Sequence, residues 1–432
     1  MLNLSVFQVM ILATFSALAI AGLLIFALVV GGAGGVGVGP VVIWGTQDAG
    51  AFSVVIRQAA ENESKLAQVS YVQKDPVTYQ NELTEALASG KGPDLFLLRQ
   101  DHAVKDRGKV YPIPYRLLSR SDFEDIFVEG ADPYLAEEGI IGMPLFVDPL
   151  IMYWNKDLLE SAGFSQPPAY WDEFANIAQK SVKRDASGAI TKAAVAFGEY
   201  QNVDNAKDII SLLILQAGGS ITERDSTGRL DPTLAARTAG PQQAAESALR
   251  FYTEFADPSK LHYSWNRAFS SSRAAFLAGD LAIYFGYASE ASGLGRANPN
   301  LNFAAAPVPQ VRSADARKNV ARVYALAVSR ASKNPQGAMT VATIMADASL
   351  SRGLTVALGV PAARRDILSE SGDDKNVLFD REAIIARSWI DPDPERTSGI
   401  FRAMIESVTS GSARLAEAIS RANQEIAEVI GQ

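Results

Sequence analysis

The stretch VVIWGTQDAGAFSVVIRQAAENESKLAQVSYVQKDPVTYQNELTEALASGKGPDLFLL (Val41–Leu98) decides the fold class. VVIWG (Val41–Gly45) is a short apolar run closed by glycine, and an amphipathic stretch from Ala51 to Lys65 follows it. AQVSYVQ (Ala67–Gln73) predicts a second strand, Val77–Ser89 a helix stopped by Gly90, and PDLFLL (Pro93–Leu98) a third strand. Alternating β and α units of this length imply an α/β fold, with a parallel sheet covered by helices.

Outward from this unit, strand-like runs recur at Leu150–Trp154, AIYFGY (Ala282–Tyr287) and VYALAVS (Val323–Ser329). The spacing predicts helices at Lys156–Gly163, Trp171–Val182, Asp204–Ala217, Gln242–Phe255, Ser270–Leu277, Pro335–Ala346 and Ser412–Val429. After residue 40 about 390 residues remain, too many for one ordinary core, yet no Pro/Ser-rich linker divides them. Domains joined by strands that cross between them, acting as a hinge around a cleft, would read this way.

Toward the N-terminus the character changes. Met1–Gln47 carries no charged side chain, and Val9–Val30 runs 22 residues with only Thr14 and Ser16 polar. At about 1.5 Å per residue such a helix spans a hydrocarbon core of about 30 Å. The apolar run is too long for a cleaved signal peptide and lacks the basic start, so 1–30 is expected to be an uncleaved membrane anchor. GGAGGVGVGP (31–40) reads as a glycine-rich tether. Its G-x-G-x-x-G (Gly32, Gly34, Gly37) lacks the preceding strand and following helix of a dinucleotide site.

Composition narrows the chemistry. The 432 residues include 40 basic and 48 acidic side chains, for a net charge of −8. No basic run marks a nucleic-acid partner. The absence of cysteine removes disulfides, thiolate nucleophiles, thiolate metal sites and a lipidated N-terminus. His102 and His262 lack ligand spacing, so no metal is expected, and no phosphate loop or G-x-S-x-G elbow occurs. No cofactor is implied. The five tryptophans are Trp44, Trp154, Trp171, Trp265 and Trp389. Aromatics at strand ends can line a ligand crevice, with packing the alternative for each; Trp171 is read as packing.

GIIGMPLFVDPLIMYWNKDLLESAGFSQPPAYWDEF (Gly139–Phe174) resembles the signature of the extracellular sugar-binding solute-binding proteins that serve ABC transporters. Here Trp154, rather than the usual tyrosine, precedes Asn155-Lys156. GKGPDLF (Gly90–Phe96), FLAGDLAIYFGYASE (Phe276–Glu290), AAPVPQ (Ala305–Gln310), AVSRASKNPQGA (Ala327–Ala338) and GVPAARRDIL (Gly359–Leu368) match further pieces in the family's order. The resemblance implies a type II periplasmic-binding-protein fold: two α/β lobes with hinge crossovers, preceded here by the N-terminal transmembrane helix. It assigns 41–146 plus 303–320 to lobe one and 148–301 plus 324–432 to lobe two. By the same resemblance ligand contacts fall at Trp44 and Thr46 after the first strand and at Gln100, Asp101 and His102 after PDLFLL. Others fall at Asp148 and at Arg322 and Tyr324 in the crossovers, and at Tyr287.

These residue types suit a sugar. Asp101 and Asp148 can accept hydroxyl hydrogen bonds, and Trp44, Tyr287 and Trp389 offer faces to ring C–H groups. A helix cap is the alternative role for Asp101 and a hinge salt bridge for Arg322. The implied function is a non-enzymatic, extracytoplasmic receptor, held at the cell membrane, that delivers a carbohydrate to an ABC permease. A membrane-tethered glycan-active enzyme and a polyamine or peptide binder remain open.

Overall fold

The structure is a computed structural model and describes residues 38–236, 243–370 and 377–431. The expected anchor (1–30) lies outside these residues, as does most of the tether. Among the described residues no single helix is long and apolar enough to cross a membrane. The tether's last residues are docked: the Val38 carbonyl accepts a hydrogen bond from Asn334 Nδ2 at 2.6 Å.

One ten-stranded sheet runs through the molecule. Its strands are β1 (Val41–Gly45), β2 (Val69–Gln73), β3 (Leu95–Arg99), β4 (Met143–Asn155), β5 (Lys183–Arg184), β6 (Ile190–Val195), β7 (Leu281–Tyr287), β8 (Phe303–Ala306), β9 (Asn319–Val328) and β10 (Ala386–Arg387). The spatial order is β2-β1-β3-β9-β4-β7-β6-β5, with β8 paired to β4 and β10 to β9. β2, β1 and β3 run parallel, as the alternating sequence requires, whereas β9 is antiparallel to both β3 and β4.

β4 and β9 join two hydrophobic cores. All thirteen residues of β4 are buried. Phe146 and Val147 belong to the first core, with β1, β3 and the helix Pro335–Met345, while Leu150 to Trp154 belong to the second. Pro149 sits at the handover. Proline cannot donate to a ladder and is foreign to a central strand, so it marks where β4 exchanges one set of neighbours for another. β9 changes core between Val320 and Ala321. A third passage follows β10, since Ala386 lies in the first core and Trp389 packs on the second.

The lobe partition therefore differs from the expected one. Phe303–Ala306 pairs with the second-lobe half of β4, and Val308 and Val320 pack there too, so 303–320 is not part of lobe one. Ala321–Ala386 supplies core residues to lobe one, and only the chain beyond the third passage returns to lobe two. The cause is β9: entering from lobe two, it commits the following helices to the lobe where it ends.

Side-chain caps start some of the helices. α1 (Ala49–Ala60) starts where Asp48 Oδ1 accepts the Ala51 amide at 2.8 Å. α2 (Tyr79–Ala88) follows β2, and α3 (Ala206–Gln216) is buried on nearly every side. α4 (Pro394–Thr409) is not among the helices that the spacing predicts. Its buried Thr397, Ile400, Phe401, Met404 and Ile405 nevertheless fall at the i, i+3, i+4, i+7, i+8 positions of one helical face.

Candidate functional site

Between the cores lies a cavity of about 270 Å³. Its first wall is the end of β3 with the 3₁₀ turn after it: Arg99, Gln100 and Asp101. Asn205 to Asp208, at the start of α3, form the opposite wall. The second and third passages floor it, through Val320–Arg322 and through Arg387, Ser388, Trp389 and Asp391. A second cavity of about 640 Å³ shares Arg99 and Arg322 and adds Thr46, His102, Tyr324 and Glu395.

Electrostatics here are paired. Asp101 receives Arg99 Nε and Nη2, both at 2.6 Å. Burial alone would raise its pKa, but the Arg99 charge and hydrogen bonds outweigh burial and hold the carboxyl well below the usual range. Arg322 Nη2 donates to Asn205 Oδ1 at 3.1 Å and to Asp208 Oδ2 at 3.4 Å, and its guanidinium lies 3.8 Å from the Tyr287 ring centroid. Lys207 Nζ meets Asp391 Oδ2 at 2.5 Å, and the Thr397 hydroxyl also donates to Asp391. Burial nevertheless pushes Asp391 up to about 6, with the Lys207 charge opposing.

Asn205 is the one described non-glycine residue in the left-handed region, at φ 61°. Asparagine tolerates this conformation. The turn lets Nδ2 donate to the Phe285 carbonyl at 3.2 Å while Oδ1 accepts Arg322. One side chain thus ties α3 to β7 and to the second passage.

Of the ten expected residues, Gln100, Asp101, Arg322 and Trp389 line the first cavity, and Thr46, His102 and Tyr324 the second. Gln100 spends both ends of its amide on β9, donating to the Ala321 carbonyl at 3.1 Å and accepting from the Val323 amide at 2.8 Å. It fastens the hinge. Asp101 is not a helix cap: it sits inside the 3₁₀ turn, and Arg99 holds it. Tyr324 stacks on Phe146 with centroids 4.8 Å apart. Trp389 lies parallel to Phe401 at 6.1 Å, with Lys207 Nζ 5.2 Å from its ring.

The other three line neither cavity. Trp44 is covered by Lys74, whose Nζ stands 3.8 Å from the ring centroid. Asp148 is buried and accepts the Ser289 amide at 2.9 Å and hydroxyl at 2.6 Å. Tyr287 is 2% exposed beneath Arg322. Arg99, Asn205, Lys207, Asp208 and Asp391 escaped the sequence reading. Arg99 has the clearest signal, as the charged last residue of an otherwise apolar strand.

Across the mouth, Lys105 of lobe one reaches Asp393 Oδ1 at 3.1 Å and Glu395 Oε2 at 2.5 Å, at the start of α4 in lobe two. His102 Nδ1 lies 3.7 Å from Asp106 Oδ2, and neither atom has a hydrogen-bond partner. Burial lowers the His102 pKa, although the Asp101 charge opposes this.

The family model for bacterial extracellular solute-binding proteins matches residues 45–349. A binding protein of Brucella abortus (strain 2308) is 29% identical over 100 residues, 23% of this chain and 24% of the relative. A probable ABC transporter-binding protein of Deinococcus radiodurans is 44% identical over 41 residues, 10% of each chain. These curated matches thus span a quarter or less of the relatives' lengths. Solved structures match far more broadly. The cyclic α-maltosyl-1,6-maltose binding protein of Arthrobacter globiformis aligns over 91% of this chain and 99% of its own, with TM-score 0.74 and 16% identity. A cyclo/maltodextrin-binding protein complexed with maltotetraose gives 0.71 and 18% over 90% and 96%. A Thermotoga lettingae solute-binding protein bound with α-D-tagatose gives 0.68 and 22% over 91% and 100%. At these identities the likeness is one of fold, and it agrees with the two-lobe architecture. The chain belongs to the bacterial extracellular solute-binding proteins, a family of binding proteins rather than enzymes.

Proposed function

We propose that this chain captures a small carbohydrate between its lobes outside the cytoplasm and delivers it to an ABC importer, with Val9–Val30 as its membrane anchor. The observation that carries the reading is the cavity itself, which draws its walls from both lobes and its floor from the second and third passages. A solute there contacts both lobes only when they are closed, so binding energy is converted into closure. At about 270 Å³ the space is near the small end of ligand pockets and suits one sugar ring. Paired donors and acceptors match hydroxyl groups, and Trp389 supplies an apolar face. The maltotetraose and tagatose held by structural neighbours agree with a sugar.

A polyamine would need a carboxylate excess, whereas basic groups outnumber acidic ones in this lining. Thermal-shift screening of the full-length chain against mono- and oligosaccharides, spermidine and short peptides tests the reading. Stabilisation by a sugar without product formation is expected. A response confined to spermidine or peptides overturns the sugar assignment, and turnover of a glycan overturns the receptor.

A further inference from the structure

Two buried polar atoms without a hydrogen-bond partner among the described residues face each other: His102 Nδ1 and Asp106 Oδ2, 3.7 Å apart. His102 is 5% exposed and Asp106 1%. Native proteins bond nearly all such atoms, so a facing unbonded pair needs a physical account.

The charged groups around His102 come from both lobes. In lobe one, Asp101 is held by Arg99, and Asp106 Oδ1 accepts Lys109 Nζ at 2.7 Å. Tyr79, Arg322 and Tyr324 line the second cavity with His102. From lobe two, Glu395 Oε1 stands 4.0 Å from His102 Nε2, while Lys105 holds Glu395 Oε2 and Asp393. A neutral imidazole has one N–H and can serve Asp106 or Glu395, not both; an imidazolium serves both.

We propose that His102 is a proton-operated latch between the lobes: once protonated, its Nδ1 donates to Asp106 within lobe one and its Nε2 to Glu395 of lobe two, so acid tightens closure of the cleft. Burial, with Arg99, holds His102 below its ordinary 6.5 against the pull of Asp101, Asp106 and Glu395, and the imidazole is neutral at pH 7. Charging it costs folding stability, which falls as pH drops below 6.5. Closure carries the opposite sign. Glu395 is the only lobe-two residue that lines the cavity with His102, so lobe one covers the imidazole in open and closed forms alike, and opening chiefly removes a carboxylate. The proton is bound more tightly with the lobes closed, and by linkage it favours the closed form.

The latch is testable on the full-length chain without any solute, and its failure leaves the carbohydrate reading standing. His102 and His262 are the only histidines, so NMR with labelled histidine follows His102 directly, with His262→Gln for assignment. Glu395→Gln should weaken proton binding at His102 about two- to fivefold, the scale of one partly exposed ion pair. The cysteine-free chain also accepts a fluorophore pair at Val356→Cys in lobe one and Leu261→Cys in lobe two, both exposed. Energy transfer between them should report a closed-to-open ratio that rises about two- to fivefold from pH 7.5 to pH 5. Asp148, Asp391 and Glu382, pushed up to about 6, 6 and 7, titrate in the same window, so the response is read as the difference from His102→Gln. Proton binding at His102 that is unchanged or stronger in Glu395→Gln overturns the latch, and so does an equal pH response in His102→Gln. If His102→Gln does not fold, the NMR titration of Glu395→Gln, an exposed position, decides alone.

Discussion

Glu382 is fully buried beside the second passage and offers the sharpest test of how the hinge is held. Its Oε1 accepts Arg317 Nη2 at 2.9 Å, and its Oε2 accepts Asn319 Nδ2, also at 2.9 Å. The same Asn319 amide donates to the Leu150 carbonyl of β4 at 2.8 Å, so the carboxylate grips β9 where two crossing strands meet. Burial pushes Glu382 up to about 7, with the Arg317 charge opposing. A carboxyl whose folded pKa is raised binds its proton more tightly in the native state. Its stabilising contribution is complete below the ordinary pKa near 4.5 and is lost as pH rises toward 7. Across that window the loss is about 2.5 pKa units, or ~3 kcal/mol at ~1.36 kcal/mol per unit. Glu382→Gln has the shape of the protonated acid and does not titrate, so it should gain ~3 kcal/mol on wild type between pH 4.5 and pH 8. With unfolding entropy of ~2.1 cal/mol/K per residue, ~0.8 kcal/mol/K for about 390 residues, that is ~4 °C in relative Tm. Calorimetric Tm values for both chains across pH 4.5–8 measure it. A constant difference, or a variant that loses ground as pH rises, would refute the claim that burial at the hinge raises the pKa of this carboxyl.

Other outcomes follow from single contacts. Lys105→Met removes the exposed ion pairs that span the cleft mouth, each worth ~0.2–1 kcal/mol; it should leave Tm nearly unchanged and raise the sugar off-rate about two- to fivefold in stopped-flow fluorescence. Trp389→Ala deletes the cavity's apolar face and should weaken sugar binding about tenfold by titration calorimetry, with little change in the fold because its ring is only half-buried. Asn205→Ala should lower Tm by more than Asn205→Gly, because only alanine adds ~1 kcal/mol of left-handed strain while both lose the acceptor for Arg322.

The part of the fold written in local pattern was legible. β1, β2 and β3 with their intervening helices are set by runs of a few residues, glycine stops and one cap, and they stand where the periodicity puts them. β9 shows what local pattern lacks. VYALAVS reads as a strand, but nothing within it says that β3 and β4 will flank it, and that pairing moves residues 321–386 into lobe one. α4 is harder to read because its buried face opens on polar Thr397 and carries only four large apolar side chains, Ile400, Phe401, Met404 and Ile405, in sixteen residues.

The site divides along the same line. Gln100, Asp101, Arg322 and Trp389 reach the cavity because strand ends and passages necessarily meet between the lobes. Trp44 and Asp148 sit at equivalent places yet are claimed by nearer partners, Lys74 and Ser289, which lie 30 and 141 residues away in sequence. Lys207 and Asp208 read as ordinary charges in a first helical turn; only the left-handed Asn205 before them turns that end of α3 toward the second passage.

Hydrogen exchange of the full-length chain with and without a saturating sugar tests the central claim most directly. Amides on both walls and in the passages should slow together on binding, namely 99–103, 206–211, 320–324 and 388–391. Protection confined to one lobe, or appearing instead around the separate pocket near Ile113 and Ile344, would contradict closure of the two lobes around a solute.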